Sequence, residues 1–401
     1  MSLIFPEEDA GSKEDTPALF IPSSSVPEVK YGNTTNPGPP DFSAQVGPVR
    51  WDEQGPIVPN DYKKPLFNDV GLIVRAKSDE GNDVLLWIFI YRQQGPEIII
   101  ANDVTQTGFV VGEFTDKEKV HMHDTPFISK GQNLEDYYHP GAIEFEETDK
   151  KTSWKLGGRE MGYLGDGKWY AKGTHAGVET DLIFTQRGDY FYHVSAWDTG
   201  FDKKLPGGIA GGNGHVRVNG TIKANGKTYT ITNGHGMQER IVMAGFIPER
   251  INYMGKGGSP WMHGWGEQLS FFTISRDTGH NAQFSVNVDG ETLAVMGAGW
   301  AITKENEQWL DPKTKQANPR RWTVIATTTK GRFQASVVGF ARYYYTWIRR
   351  HGVLVVHQFM CDTVMTFTRN DGSVVSEKGV GMVEYMRTLY NQSQTLDEES
   401  L

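Results

Sequence analysis

From Trp51 onward the chain is a succession of short runs rich in β-branched and aromatic residues, each closed by Gly, Asn or Asp. That punctuation constrains the fold more than any other feature. GLIVRAK, DVLLWIFIYRQ and PEIIIANDV open the series, with a hairpin turn expected over Asp79–Asp83. GFVVGEF, AIEFEE, TSWKLGG, KWYAKGTHAG, ETDLIFTQ and DYFYHVSAW continue it. HVRVNGTIKANGKTYTITN reads as a hairpin turning at Ala224-Asn225-Gly226, and Val288-Asp289-Gly290 marks another. No convincing long amphipathic helix interrupts the pattern; Pro248, Glu249 and Arg250 open at most a brief helical turn. Runs at this spacing predict an all-β fold built as two β-barrel or sandwich domains packed side by side, with a pocket at their interface.

The 401 residues suffice for about two domains. Residues 1–50 are rich in Pro, Ser, Gly and acids and read as an extended or disordered segment. The glycine-rich stretch Asp198–Gly214 is the expected boundary, giving domains over 51–204 and 205–392 and a disordered tail over 393–401.

Composition removes several function classes. A formal net charge of -9 and the lack of a basic cluster argue against nucleic acid as a partner. No run approaches the ~18 apolar residues of a membrane span, and the N-terminus has neither a basic n-region nor a long apolar h-region, so a cytoplasmic protein is expected. The single cysteine, Cys361, lies in an apolar run and reads as a small buried hydrophobe. With 12% aromatic residues and 11 Trp, the chain has the material for a large β core or for an aromatic-lined cavity.

The richest stretch runs from Ile231 to Arg276. It mixes His235, Glu239, Arg240, Trp261, His263 and Trp265 with many glycines, a poor composition for either surface or plain core, and reads as one wall of a ligand pocket. Glu239-Arg240 reads either as a structural ion pair or as an acid and a donor presented to a ligand. Trp261, His263 and Trp265 alternate, so a strand places them on one face, as a cradle with a proton-transferring His or as packed core. Tyr343, Tyr345 and Trp347 share a face in the same way, with Arg349 following. Trp87, Trp300 and His357 sit in apolar strands that face either core or cavity. The Gly234–Glu239 pattern lacks the strand-then-helix context of a dinucleotide site. His121-x-His123 would place two ligands on one strand face, but no spaced third is evident, so no metal is expected. No nucleophile elbow, P-loop or HExxH is present.

The segment Gly220–Arg240 (GTIKANGKTYTITNGHGMQER), followed by a Trp-rich strand ending in SFFTI, resembles the lipocalin-like superfamily of hydroxyneurosporene synthase. It keeps two glycines and an acid of that family's signature; Met237 stands where an aromatic is usual, and Glu239 is the nearest counterpart of the family's aspartate. Over roughly residues 60–390 the chain looks most like the fungal branch of intramolecular Diels–Alderases and related cyclases. The resemblance implies two lipocalin-like domains, a pocket between them and no cofactor. It points to a cyclase or isomerase of natural-product biosynthesis performing a [4+2] cycloaddition on a polyene, terpenoid or quinone methide. Glu239, Arg240, His263 and Arg349 would polarise or protonate the substrate. His235, Trp87, Trp261, Trp265, Trp300, Tyr343, Tyr345, Trp347 and His357 would shape the pocket. Acid-catalysed epoxide opening, a non-catalytic carrier of an apolar ligand, and a glycoside-cleaving β protein are the competing readings. The oligomeric state, monomer or homodimer, stays open.

Overall fold

The computed structural model describes residues 46–51, 54–55, 66–94, 102–123, 135–195, 209–243, 259–275, 281–296, 300–349 and 352–390. The N-terminal segment, the Pro248–Arg250 turn, most of the Asp198–Gly214 stretch and the C-terminal tail lie outside the described residues.

Among the described residues there are 23 strands and no α-helix. They are β1 (Val46–Gly47), β2 (Leu66–Lys77), β3 (Asp83–Gln94), β4 (Asn102–Gly112), β5 (His121–Met122), β6 (Glu135–Tyr138), β7 (Glu144–Glu147) and β8 (Thr152–Leu156). Next come β9 (Arg159–Gly165), β10 (Lys168–His175), β11 (Val178–Gln186), β12 (Tyr190–Ser195), β13 (Ile209–Ala224), β14 (Lys227–Met243), β15 (Ser259–Trp265) and β16 (Leu269–Ser275). The last are β17 (Asn281–Val288), β18 (Glu291–Met296), β19 (Ala301–Leu310), β20 (Ala317–Thr328), β21 (Gly331–Arg349), β22 (Gly352–Arg369) and β23 (Val374–Tyr390).

The strands form two sheets. The first runs β6-β4-β3-β2-β14-β13-β11-β10-β9-β8-β7, with β12 paired to β13 and β1 paired to β12. The second runs β18-β17-β16-β15-β23-β22-β21-β20-β19, with β5 parallel to β21. The hairpin β13–β14 pairs with β11 on one side and β2 on the other, so sheet membership changes between Met243 and Ser259. The glycine-rich stretch instead runs into β13, whose first six residues, 209–214, belong to it. β12, before it, and β13 pair with each other within one sheet.

The expected hairpins form where turn chemistry demands. β13 meets β14 across Asn225 (φ 52°) and Gly226 (φ 72°), and β17 meets β18 across Asp289 (φ 53°) and Gly290 (φ 93°). Two successive left-handed residues give the turn whose twist matches the flanking strands.

Each sheet curls around its own apolar core. Leu72, Ile88, Trp154, Trp169 and Phe184 fill the first, and Phe271, Phe284, Trp322, Phe333 and Phe359 the second. A third cluster lies between the sheets. A strand in an outer wall alternates, as β11 does in its buried–exposed repeat. Strands β2, β3 and β4, the later parts of β21 and β23, and the earlier part of β22 are buried on both faces, one against a barrel core and one against the other sheet. An ionic clamp also joins the sheets: Arg75 reaches Asp83 (3.2 Å), the Cys361 carbonyl (3.3 Å) and Asp362 (3.6 Å), and Lys117 holds Asp362 at 2.9 Å. No helix among the described residues is long and apolar enough to cross a membrane.

Candidate active site

The seam between the sheets is built by strand periodicity. Alternate residues of β3 (Trp87, Phe89, Tyr91) leave the first sheet toward the second, and Met237 follows from β14. Across from them stand Trp265 of β15, Tyr343 and Tyr345 of β21, Met360 of β22, and Met382 and Met386 of β23. Glycines allow the close approach: a Cβ on Gly71 would lie 2.2 Å from the Phe89 ring, and one on Gly108 would lie 2.1 Å from the Tyr343 hydroxyl.

Three carboxyls are buried in this apolar setting. Glu239 faces the seam because it pairs with Gly71 of β2, two residues from the Met237–Ile73 pair. The ladder then lapses until the Val242–Asn68 pair, and Asp69 fills the gap by accepting the Ile241 amide at 2.6 Å. From the second sheet comes Glu384, which accepts Gln358 Nε2 at 2.5 Å and the Tyr345 hydroxyl at 3.4 Å. Burial pushes Glu384 up to about 8, against the pull of those two donors. Burial likewise lifts Asp69 to about 7, although the Arg240 guanidinium and the Ile241 amide favour its charged form. Glu239 is raised well above the usual carboxylate range by burial first, then by repulsion from Asp69 and Glu384. Three such groups near one another cannot all ionise, and burial in the seam favours their neutral forms.

Several donors facing the same space have no partner among the described residues. They include Asn213 Nδ2, Trp87 Nε1, Trp265 Nε1, the Tyr343 hydroxyl and Gln106 Nε2. Buried polar groups in proteins are almost always hydrogen-bonded, so a cluster of open ones marks a place where something else supplies the acceptor. Beside them is an aromatic stack: His263 lies 5.4 Å from Trp265 with the rings 6° apart, and Phe272 lies 4.9 Å away. Trp261 Nε1 donates to His263 Nε2 at 3.0 Å, which makes that nitrogen an acceptor in neutral imidazole.

The structure brings together Glu239, His263, Trp87, Trp261, Trp265, Tyr343 and Tyr345 of the residues proposed from sequence. Others go elsewhere. Arg240 neighbours Glu239 in sequence but takes the opposite face, where it lies 5.0 Å from the Trp154 ring and donates to the Gly55 and Asp69 carbonyls; the two do not pair. His235 is engaged by Arg217 (3.2 Å) and faces Glu267 (3.8 Å), and burial with the Arg217 charge pushes it down to about 4. His357 lies inside the second barrel, 3.3 Å from Asp311, and Trp300 packs against that same core. The side chains of Trp347 and Arg349 lie outside the described residues. Cys361 is fully buried, as a small hydrophobe would be. Asp69, Asn213, His215, Gln358 and Glu384 were not singled out from sequence. Their signal was a polar residue inside a strand buried on both faces, as in VGMVEYM around Glu384.

The geometry defines an all-β protein of two curled sheets with a polar, aromatic seam between them. No family model matches the sequence, and no curated protein matches it. Solved structures do. A protein from Nitrosomonas europaea described as AttH superposes with a TM-score of 0.51 at 13% identity, covering 82% of this chain and 98% of that one. CghA superposes with a TM-score of 0.51 at 9% identity, covering 87% and 97%. Kievitone hydratase from Nectria haematococca covers 88% and 98% at 9% identity, with a TM-score of 0.45. At such identities the likeness is one of fold, and the first two structures show the same lipocalin-like arrangement of two curled sheets along nearly their whole length.

Proposed function

We propose that this protein is a cofactor-independent cyclase or isomerase that holds an apolar substrate in the seam, with Glu239 as the proton donor. The observation that carries the reading is the burial of Glu239 and Glu384 among aromatic rings, which favours their neutral forms. A carboxylic acid protonated near pH 7 can donate a hydrogen bond to a carbonyl or a proton to a leaving hydroxyl, and the dry surroundings strengthen either interaction. The Trp and Tyr faces would hold a polyene, terpenoid or quinone methide in its reactive conformer. A [4+2] cycloaddition, after acid-assisted dehydration where the substrate bears a hydroxyl, is the reaction that the sequence resemblance favours. A second reading, acid-catalysed epoxide opening or hydration, is favoured by the carboxyls themselves, since a purely pericyclic step needs no proton. We take the two sheets as the two domains.

The test compares metabolites of a deletion strain with those of its parent, then adds purified protein and a chelator to the extract. A precursor of the product's mass, or heavier by one water, is expected to accumulate and to be converted without added cofactor. Glu239→Gln should slow an acid-catalysed step by about 10²–10⁴-fold; a much smaller loss would leave shape-fitting alone. Retention of a ligand with no conversion would make the protein a carrier and sink the catalytic reading.

A further inference from the structure

Among the described residues no ladder joins β4 or β6 to β9 or β10, although the first barrel must close there; five strands lie between β4 and β10 in the sheet. Edge strand β6 is held to β4 by four pairs, from Asp103–Tyr138 to Gln106–Glu135. Side chains bridge the remaining gap. Arg159, at the start of β9, is 1% exposed and reaches three other strands. It donates to the Gly173 carbonyl of β10 (3.0 Å), to the Val178 carbonyl (3.1 Å) and Thr180 hydroxyl of β11, and to the Thr107 hydroxyl of β4 (3.4 Å). His175, 4% exposed at the end of β10, meets that same Thr107 hydroxyl through Nδ1 at 2.8 Å and Asp136 of β6 through Nε2 at 3.1 Å.

The hydrogens of this relay have one consistent order. The Asp136 carboxylate accepts, so Nε2 carries the ring proton and Nδ1 is bare. Nδ1 then accepts from the Thr107 hydroxyl, whose oxygen accepts from Arg159. The arrangement fits a neutral imidazole. A second proton would turn Nδ1 into a donor aimed at an oxygen that Arg159 already occupies, and the Thr107 hydrogen would lose its only acceptor among the described residues. It would also set a second buried cation beside Arg159, which has no described carboxylate within ion-pairing distance and which burial alone pushes down to about 10. Neighbouring charges do not relieve this. Glu179 of β11 is taken by Lys223 at 2.7 Å, Glu160 of β9 by Lys172 of β10 at 3.2 Å, and Glu135 of β6 by the Tyr91 hydroxyl at 2.8 Å. Burial and the Asp136 charge keep Tyr138 of β6 neutral. Asp136, with its side chain 47% exposed, is the counter-charge within reach of the ring. Burial, with the Arg159 charge, outweighs its pull and holds His175 below the ordinary 6.5.

We propose that Arg159, Thr107, His175 and Asp136 form a pH-sensitive latch, which closes this end of the first barrel while His175 is neutral and opens when the protonated ring leaves Thr107 and Arg159 for Asp136 and water. The latch sits directly behind the seam, because Val104, Gly108 and Val110 leave the other face of β4 toward the second sheet. It does not depend on the seam being catalytic. The stability linked to the neutral ring is complete above about pH 6.5 and is lost as pH falls below it. The opening equilibrium gains about tenfold per pH unit until the closed form itself takes up the proton.

The test uses the full-length chain, with NMR of labelled histidines and hydrogen exchange at pH 7, 6 and 5 corrected for the intrinsic pH dependence of exchange. At pH 7 His175 should be the Nε2–H tautomer. Below pH 6.5 the amides of residues 135–138 and 173–180 should open about 10-fold more readily per pH unit, while those of 331–338 in the second barrel hold. His175→Gln, whose amide can donate to Asp136 and whose oxygen can accept from Thr107, should remove that local acid response and leave the melting temperature at pH 7 unchanged. Should that variant fail to fold, Asp136→Asn, at a half-exposed position, decides: without the counter-charge the opening should begin at lower pH. An Nδ1–H tautomer, a His175 that titrates at or above 6.5, local exchange that ignores pH, an unaltered acid response in His175→Gln, or an unmoved onset in Asp136→Asn would each overturn the latch.

Discussion

Glu384→Gln gives the sharpest test of the buried carboxyls, because its effect has a sign that depends on pH. In the folded chain the group titrates near 8, while its ordinary value is 4.5. The folded state thus holds the proton more tightly than the unfolded state. The stability linked to that proton is complete below about pH 4.5 and is lost as pH rises toward 8. Each pH unit in that window costs about 1.4 kcal/mol, so between pH 5 and pH 7 the wild type loses about 3 kcal/mol through this one residue. Glutamine has the same shape, stays neutral, and can still accept from Gln358 Nε2, which now lies 2.5 Å from Glu384 Oε2. Urea unfolding at pH 5, 6 and 7 should give similar midpoints for both proteins at pH 5 and a widening advantage for Glu384→Gln above it. Asp69 and Glu239 shift in the same direction and steepen the trend in both proteins alike. Parallel stability profiles, or a variant weaker at every pH, would show that Glu384 is charged in the folded state. The account of the seam as a store of neutral acids would then fail.

Other predictions address how the sheets are joined. Arg75 is fully buried and bridges Asp83 to Asp362 and the Cys361 carbonyl of the other sheet. Arg75→Met should lower stability by about 3 kcal/mol, because Asp83 stays buried with Lys117 at 3.6 Å as its remaining cation; a loss under about 1 kcal/mol in urea unfolding would refute the clamp. Gly108→Ala sets a methyl 2.1 Å from the Tyr343 hydroxyl and 2.4 Å from its ring carbon. It should cost about 1–3 kcal/mol and shift the near-ultraviolet dichroism of the seam aromatics. An unchanged spectrum and melting temperature would mean that the sheets do not approach at that point.

Fold class was legible in the sequence because turn chemistry is local. Asn225-Gly226 and Asp289-Gly290 can satisfy two left-handed positions in succession, so the hairpins they close follow from a few residues. Which strands share a sheet was less legible. The stretch Asp198–Gly214 has the composition of a linker, yet β13 begins inside it at Ile209 and pairs with β11 before it along nine residue positions, Val178–Gln186. Ladder partners are set by long-range packing, which glycine content does not report. Glu239 and Arg240 show the corresponding limit at the site. Sequence placed them together as neighbours; the pleat separates them, one to the seam and one to the Trp154 core.

The seam itself was written in the sequence in a different code from the one first applied. Within β21, residues 331–337 alternate buried and exposed, as one wall of a barrel must; beyond the bulge at Gly339–Ala341, residues 339–343 are buried on both faces. The matching change in sequence is from GRFQASV, with a polar residue at every second place, to the aromatic run of GFARYYYTW. DVLLWIFIY and VGMVEYM show the same loss of alternation. A strand that loses its polar face has gained a second apolar neighbour, and a polar residue surviving there has no solvent to account for it. By that rule Asp69, Arg342, Gln358 and Glu384 each require a protein partner or a ligand. Arg342 has Asp311, at 2.7 Å, inside the second barrel. Glu384 has only Gln358 and a long bond to Tyr345, Glu239 has no side-chain hydrogen bond among the described residues, and both face the one space that belongs to neither barrel. The residues least explained by packing converge on the seam, and the proposed function rests on that convergence more than on any single side chain.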